Sequence, residues 1–255
     1  MIKKFSDSNQ LAKYLANEIL ELLQKKNKCV LGCPGGRSLT KTYYQLGRIS
    51  HKKKISLENL TIVMMDEYVL KRKNSFSLVD PKSHFSCVRF SNQVIKRLLN
   101  YKKRKNYKIT NERILFPNIL DPAKYDYQIK NIGGIDIFLL ASGSSDGHVA
   151  FNNIHSKRNQ NTHITKLTKE TRRDNMKTFP NFKSINEVPK YGLTVGLNTI
   201  AALSKSATLV LTGNEKKYAF SMIAQNSKFN SKWPASIIYK CKKYRIFTDK
   251  LSNLS

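Results

Sequence analysis

The sequence predicts an α/β fold in which an open, mainly parallel sheet is covered by helices on both faces. Short apolar runs alternate along the chain with segments whose apolar residues recur every three or four positions. Strands alternating with helices in this way form parallel sheets that are buried on both sides. We find no internal repeat and no linker rich in proline, glycine or serine, so we expect residues 1–255 to form a single domain.

The predicted helices share an apolar stripe at the spacing of one helix face. In the first of them, Leu11, Leu15 and Ile19 lie on one side, and Asp7 or Ser8 supplies the N-cap. The predicted helices cover residues 8–26, 39–49, 90–100 and 214–226.

The predicted strands are short runs rich in apolar and β-branched residues. They cover residues 29–31, 61–65, 135–140, 191–195, 207–211 and 235–238. The Lys-rich segment 102–118 fits no clear element, and it reads either as an insertion or as a loop and strand edge.

A glycine-rich turn follows the first of these strands and leads into a helix. Glycines at 35 and 36 let backbone N–H groups approach an anion, and the helix N-terminus adds a favourable dipole. Arg37 and Ser38 can donate further hydrogen bonds to a phosphate. The turn formed by Gly35, Gly36, Arg37 and Ser38 is therefore a candidate phosphate site, although an ordinary tight turn would have a similar sequence.

Two adjacent carboxylates, Asp66 and Glu67, directly follow the strand at 61–65. A carboxylate at a strand end is held in a fixed position, as a general base requires. In the alternative interpretation, Asp66 caps the following turn and Glu67 is solvated.

The strand at 135–140 leads into a turn of small residues and then into Asp146, Gly147 and His148. A histidine beside a carboxylate can transfer protons near neutral pH. A turn with a capping Asp and a solvated His would also fit. Because ligands bind at the carboxyl ends of parallel strands, we expect all three segments to converge on one cleft.

The chain is strongly basic, with 46 Lys and Arg against 17 Asp and Glu and a formal net charge of +29. Lysines occur nearly everywhere and accompany many Asn and Ile, which is typical of compositional bias. Basic clusters do occur at 51–54, 101–108 and 240–245, and the second interleaves aromatics with cations, as in single-strand binders. We expect incidental, salt-sensitive nucleic-acid binding rather than a specific function of that kind, and a field that attracts anionic substrates.

The remaining composition indicates a cytoplasmic protein that does not associate with membranes. No run approaches the roughly 18 consecutive apolar residues of a membrane span, and the N-terminus lacks the apolar stretch of a secretory signal. Cys29, Cys33, Cys87 and Cys241 show neither metal-site nor disulfide spacing, so we expect reduced thiols.

Two of the segments described above resemble signatures of the glucosamine-6-phosphate deaminase (isomerase) family, which is related to the 6-phosphogluconolactonases. They are Met-Asp-Glu-Tyr at 65–68 and Asp-Gly-His-Val-Ala-Phe-Asn at 146–152. Further similar segments follow in order over nearly the whole chain, at 31–43, 83–86, 167–172, 188–196 and 211–216. The resemblance implies an open α/β sheet with a Rossmann-like core.

The resemblance also implies an activity, which is aldose–ketose isomerisation with loss of ammonia to give fructose 6-phosphate. His148, supported by Asp146, would help to open the sugar ring, and Asp66 would move a proton between C2 and C1. The phosphate would lie on the turn at 35–38, with Arg172 and Lys216 at family positions that contact phosphate. We expect neither a metal nor an organic cofactor, since we find no metal-ligand cluster and no dinucleotide fingerprint.

One residue departs from the family pattern. The deaminases carry a Glu directly after the Phe-Asn pair, where it completes an Asp–His–Glu relay, and this chain has Asn153. An amide can orient a histidine but cannot accept its proton. The open alternatives are slower ring opening, a different substrate, isomerisation without deamination, or a protein that only binds sugar phosphates.

A lactonase is a further alternative, because the turn at 34–38 and the segment Trp233-Pro-Ala-Ser at 233–236 resemble that branch of the superfamily. The residues that follow His148 are the deaminase version and favour the deaminase. The oligomeric state stays open, since the family includes monomers and hexamers, so a homo-oligomer is one possibility.

Overall fold

The computed structural model describes residues 1–225 and 227–253, whose strands form two sheets. The strands are β1 (Ile2–Phe5), β2 (Cys29–Cys33), β3 (Leu60–Met64), β4 (Asp66–Lys71), β5 (Phe76–Leu78), β6 (Ile114–Leu115), β7 (Ile137–Leu140), β8 (His163–Lys166), β9 (Tyr191–Thr194), β10 (Ala207–Leu211) and β11 (Tyr244–Asp249). The main sheet has the order β1-β11-β10-β7-β2-β3-β6, and all of its strand pairs are parallel. The predicted fold class is confirmed.

The helices cover both faces of the main sheet. They are α1 (Ser8–Lys26), α2 (Thr40–Lys52), α3 (Cys87–Phe90), α4 (Arg97–Leu99), α5 (Pro122–Asn131), α6 (Lys169–Thr178), α7 (Leu197–Leu203), α8 (Lys217–Ala224) and α9 (Lys250–Asn253). Neighbouring residues of one strand serve opposite cores: Leu31 packs with α1 and α2, whereas Val30 packs with α5, α7 and α8. This double burial explains why the strands are continuously apolar.

The first helix begins and ends where its sequence predicts. Asp7 is the N-cap, and its carboxylate accepts from the backbone N–H groups of Asn9 and Gln10 at 2.7 and 2.9 Å. The helix ends at Asn27, which adopts a left-handed conformation with φ of 54°. Buried Leu11, Leu15 and Ile19 then fix its apolar face on the sheet.

The second sheet is the main feature that the sequence did not predict. It is antiparallel, with the order β5-β4-β9-β8. Residues 191–195 were predicted as a strand of the parallel sheet, but β9 belongs to this smaller one. Strands β1 and β11 at one edge of the main sheet and helix α5 were also not predicted.

Two other predictions need correction. Residues 235–238 are not a strand, because Pro234–Lys240 forms a 3₁₀ turn whose apolar side chains are buried in the same cluster as Trp233. A short apolar run of this kind fits a buried turn as well as a strand. The helix predicted at 214–226 is a 3₁₀ turn at Asn214–Lys216 followed by α8, and its predicted last residue lies outside the described residues.

Two segments gained detail from the structure. The helix predicted at 90–100 begins earlier and contains a π-helical stretch, Ser91–Lys96, between α3 and α4. The segment 102–118 contains two 3₁₀ turns and the edge strand β6. Within 1–225 and 227–253, no helix combines the length and apolar character needed to cross a bilayer.

Gly47 permits close packing between α2 and α4, and its replacement tests that contact. A Cβ atom added at Gly47 would lie 1.9 Å from the Leu98 carbonyl oxygen. Alanine normally stabilises a helix relative to glycine, but here the clash outweighs propensity. We expect Gly47→Ala to lower the free energy of unfolding by about 1–3 kcal/mol in urea titrations.

The control is Arg48→Ala at the next, exposed position of α2, which we expect to change stability by less than about 0.5 kcal/mol. A Gly47→Ala protein as stable as the wild type would show that the two helices separate without cost.

Candidate active site

A cleft lies at the carboxyl ends of β2, β3, β7 and β10. Most of the residues predicted for the site line it, namely Gly35, Gly36, Arg37, Ser38, Asp66, His148 and Lys216. Three segments far apart in sequence therefore meet, as expected for strand ends on one edge of a parallel sheet.

Asp66 is held at the junction between the two sheets. The chain leaves β3 at Met64 and enters β4 at Asp66, with only Met65 between them. The Asp66 side chain is 5% exposed, and its Oδ1 accepts from the Cys87 thiol at 3.4 Å. Burial raises the pKa of Asp66 to about 7, and the nearby Glu67 adds to the shift. This carboxyl group can therefore gain and lose a proton near neutral pH.

Glu67, in contrast, is structural. Its carboxylate accepts from the backbone N–H groups of Tyr68, Cys87 and Val88 at 2.7–2.9 Å and from the Ser86 hydroxyl at 2.7 Å. It is buried and binds the N-terminus of α3, so it is not solvated. These bonds also bring Cys87 against Asp66.

Asp146 holds the imidazole of His148. Its Oδ1 lies 2.7 Å from Nδ1 of His148, and its Oδ2 accepts from the hydroxyls of Thr168 and Thr171 at 3.2 and 3.0 Å. Burial opposes ionisation of Asp146, but the hydrogen bonds from His148 and Thr171 outweigh it and hold the pKa of this carboxyl well below its ordinary value. An ionised Asp146 favours the Nδ1–H tautomer, which leaves Nε2 to exchange protons with a ligand.

Two glycines make this pair possible. A Cβ atom at Gly143 would lie 2.2 Å from Oδ1 of Asp146 and 2.3 Å from Nδ1 of His148. Gly147 has a φ of +64°, and its Cα packs on the indole of Trp233. The backbone must therefore lack side chains at both positions for the aspartate and histidine to meet.

The anion-binding end of the cleft contains two cations. Arg37 lies 3.6 Å from Glu215 in a largely exposed ion pair. Lys216 is buried, and its Nζ donates to the Ser142 carbonyl at 2.8 Å and the Ser144 hydroxyl at 2.9 Å. Burial lowers the pKa of Lys216, while Asp174 and Glu215 oppose that shift. This end can accept a phosphate beside the turn at 35–38.

Arg172 is not among the residues that line the cleft. Its guanidinium is buried and donates to the backbone carbonyls of Ile185 and Val188, the latter at 3.2 Å. In this conformation Arg172 bonds to the loop before β9 and does not line the cleft.

Asn153 also points away from the cleft. Its amide nitrogen donates to the Lys166 carbonyl at 3.0 Å, and its Oδ1 accepts from the His155 backbone at 3.0 Å. The side chain is buried within the loop that joins β7 to β8. The structure therefore does not bring Asn153 to His148, whose ring is oriented by Asp146.

Several residues of the site were not predicted from the sequence. Ser142, Ser144, Asp174, Asn175 and Glu215 line the cleft. Asp174 accepts from the Ser144 backbone at 3.2 Å, and Nδ2 of Asn175 is buried without a hydrogen-bond partner among the described residues. Ser142 and Ser144 lie in the small-residue turn before Asp146, and Glu215 lies in the segment 211–216, but the sequence does not show that their side chains line the cleft.

One group of side chains in this region has the composition of a metal site. Asp146, His148 and Asp174 offer ligand atoms that lie within 4.8 Å of one another. Oδ1 of Asp146 is already engaged by Nδ1 of His148, so a cation would have to compete with that hydrogen bond. The pair is suited to proton transfer as it stands.

Comparisons with known proteins agree with this fold. The family described as glucosamine-6-phosphate isomerases/6-phosphogluconolactonase matches residues 6–247. A glucosamine-6-phosphate isomerase of Candida albicans is 31% identical over 236 residues, which cover 92% of this chain and 90% of that protein. A glucosamine-6-phosphate deaminase of Malacoplasma penetrans is 28% identical over 242 residues, which cover 92% of both.

Solved structures show the same fold. A monomeric glucosamine-6-phosphate deaminase has a TM-score of 0.82 at 25% identity and covers 98% of both chains. A 6-phosphogluconolactonase of Thermotoga maritima has a TM-score of 0.69 at 17% identity, also over 98% of both. The fold is thus the one shared by these isomerases and lactonases. The chain belongs to the glucosamine-6-phosphate isomerase/6-phosphogluconolactonase family, which confirms the resemblance of its motifs.

The contrast between the adjacent carboxylates Asp66 and Glu67 gives a prediction about stability. Folding raises the pKa of Asp66 from 3.8 to about 7, so the wild-type protein loses stability as the pH rises between these values. An amide at position 66 does not ionise, so the variant Asp66→Asn does not lose stability in this pH range. We expect Asp66→Asn to match the wild type near pH 4 and to be more stable by on the order of 2 kcal/mol at pH 8, measured by urea unfolding.

The matched control is Glu67→Gln, which places an amide nitrogen against N–H donors. We expect it to lower the free energy of unfolding at pH 8 by about 1–3 kcal/mol. A loss of stability in both variants would contradict the assignment of different roles to the two carboxylates.

The position of Asn153 gives a second prediction. In Asn153→Glu, a carboxylate would face the Lys166 carbonyl oxygen that now accepts a hydrogen bond. We expect a loss of about 1–3 kcal/mol of stability and no gain in catalytic rate, because the side chain is not directed at His148. Thermal unfolding and steady-state assays on the same preparation test this, and a faster variant would show that the family relay can be rebuilt.

Proposed function

We propose that the protein converts glucosamine 6-phosphate and water into fructose 6-phosphate and ammonia. The observation that carries the proposal is the presence of Asp66 and the Asp146-oriented His148 in one cleft, beside an anion-binding turn. A carboxyl group with a pKa of about 7 suits removal of a carbon-bound proton near neutral pH. The relatives named for this reaction support the same assignment.

In the proposed mechanism His148 acts first. Its Nε2 transfers a proton between the anomeric hydroxyl and the ring oxygen, so that the C1–O bond of the ring breaks and an aldehyde forms. The ionised Asp146 stabilises the imidazole in the orientation that this transfer needs.

Asp66 then acts on the open chain. Its carboxylate removes the proton from C2 while His148 passes a solvent-derived proton to the aldehyde oxygen, giving an enolamine, and Asp66 then returns its proton to C1. The resulting imine at C2 adds water and releases ammonia, which leaves the ketone of fructose 6-phosphate. Burial keeps Asp66 weakly solvated and therefore basic enough for the first of these steps.

The phosphate would bind at the other end of the cleft. Lys216 offers a buried ammonium whose present partners, Ser142 and Ser144, are neutral. Arg37 would exchange its exposed pairing with Glu215 for the phosphate. The unpaired amide of Asn175 is available to a sugar hydroxyl. Anchoring at the phosphate fixes C1 and C2 relative to the catalytic groups.

Asn153 takes no part in the first step, because its side chain bonds to the Lys166 carbonyl and is not directed at His148. Asp146 is the carboxylate that is hydrogen-bonded to His148, and Thr168 and Thr171 hold it in place. Because this relay contains one carboxylate where the family pattern has two, we expect ring opening, rather than proton transfer at C2, to limit the rate. A substrate supplied in its open form would bypass that limit.

Lactone hydrolysis is the second candidate, because the segments at 34–38 and 233–236 resemble the lactonase branch of the superfamily. Such a reaction needs a base for water and a phosphate site, both of which His148 and Lys216 could supply. Lactone hydrolysis, however, would give the buried Asp66 no role in the reaction. For that reason we prefer deamination.

Activity assays separate the two candidates. We expect the wild type to release ammonia and fructose 6-phosphate from glucosamine 6-phosphate, and Asp66→Asn to lower kcat at least about 10³-fold because the amide cannot accept the C2 proton. Below pH 7 the wild-type kcat/KM should fall about tenfold per pH unit, as Asp66 becomes protonated.

Asp80→Asn, at an exposed carboxylate, is the control and should keep full activity. Hydrolysis of 6-phosphogluconolactone that survives in Asp66→Asn, combined with no ammonia release by the wild type, would reject the deaminase in favour of the lactonase.

A further inference from the structure

A second concave site lies at the far end of α2 from the cleft. Helix α2 begins beside the turn at 35–38 and ends at His51 and Lys52, so its 13 residues separate the two sites by about 20 Å. The cavity has a volume of about 420 Å³, within the range of small-ligand sites. It is distinct from the proposed active site, with which it shares no lining residue.

The cavity brings together two basic clusters that are 50 residues apart in sequence. Residues from 51–54 form one wall and residues from 102–107 form the other. Its lining includes a set of cations and no carboxylate, and the cations are Lys52, Lys54, Lys102, Lys103 and Arg104. None of them lies within 4 Å of a carboxylate in the described part of the chain. Their charge is therefore uncompensated and favours an anion.

Lys103 is the most informative of these cations, because it is only 8% exposed. Its Nζ donates to the Ile55 carbonyl at 2.8 Å, a neutral acceptor. Burial lowers the pKa of Lys103 to about 8, so the ammonium is costly to maintain in the free protein. A bound anion would supply the charged partner that the protein does not.

The backbone around the cavity is unusual as well. Lys54 and Lys102 both adopt left-handed conformations, with φ of 54° and 49°. Besides Asn27, the other non-glycine residue with positive φ in the described chain is Ala150, which lines the proposed active site. Such conformations are unfavourable for residues with a side chain and concentrate at functional sites.

We propose that this cavity binds a small anion that carries several phosphoryl groups. A single phosphate has a charge of only about −1.5 to −2, too little to balance the cations around the cavity. A chain of nucleic acid needs cations along a path of several nucleotides, whereas these surround one concave space. The inference is independent of the reaction in the active-site cleft.

The test is calorimetric titration of the full-length protein with inorganic tripolyphosphate in 150 mM NaCl, with orthophosphate as the comparison. We expect tripolyphosphate to bind at least tenfold more tightly than orthophosphate. The double variant Lys102→Gln/Arg104→Gln should weaken it at least tenfold, while turnover of the sugar phosphate stays unchanged.

Two controls separate this site from other anion binding. Lys242→Gln/Lys243→Gln removes the same charge from exposed positions elsewhere and should alter affinity less than twofold. Lys216→Gln, in the cleft, should also leave tripolyphosphate binding intact. Unfolding midpoints verify that each variant is folded, and Arg104→Gln alone replaces Lys102→Gln/Arg104→Gln if that double variant is not folded.

Three results would overturn the proposal. Equal weakening by both double variants would show non-specific attraction, and a loss with Lys216→Gln would place the anion in the cleft. A single-stranded RNA 20-mer that binds more tightly than tripolyphosphate through the same residues would identify a nucleic-acid surface instead.

Discussion

The junction between the two sheets is the constraint on which the rest of the site depends. Met65 links β3 of the parallel sheet to β4 of the antiparallel one, and its carbonyl accepts from the Val195 backbone at 2.8 Å. Asp66 therefore belongs to a strand that is paired with β9 opposite Thr194 and cannot turn towards solvent. Burial at this fixed point raises its pKa, and the groups that meet it are brought by the ends of neighbouring strands.

Two carboxylates of the site, Asp66 in the cleft and Asp146 behind His148, have environments that shift their pKa values in opposite directions. Burial favours the neutral form of Asp66, and this effect outweighs the hydrogen bond from the Cys87 thiol, which favours the anion. Asp146 is also buried, but it accepts several hydrogen bonds that stabilise its anion. Environments that separate two pKa values in this way indicate separate chemical roles. Asp66 is suited to exchanging a proton, and Asp146 to remaining charged while it positions His148.

The sequence predicted the fold class, the limits of α1 and the strand ends that form the cleft, because these depend on local apolar periodicity and turn residues. It did not predict the antiparallel sheet, whose short strands lack a distinct pattern. Motif matching placed Arg172 and Asn153 in the site, yet both side chains satisfy loop carbonyls instead. The hydrogen bonds that orient these two side chains are made to carbonyl groups 13 and 16 residues away, and the local sequence does not predict such contacts.

The net charge of +29 describes the whole chain, but the balance between cations and carboxylates differs from one site to another. In the cleft, Arg37 faces Glu215 and Lys216 lies near Asp174, so the local charge is partly balanced and a phosphate must compete for its partners. The cavity at the end of α2 has no such balance. The overall positive charge therefore raises the local concentration of all anions near the protein. Which anion a given site favours depends on whether carboxylates near that site balance its cations. This difference would allow one basic chain to direct the two proposed ligands, a sugar phosphate and a more highly charged anion, to opposite ends of the same helix.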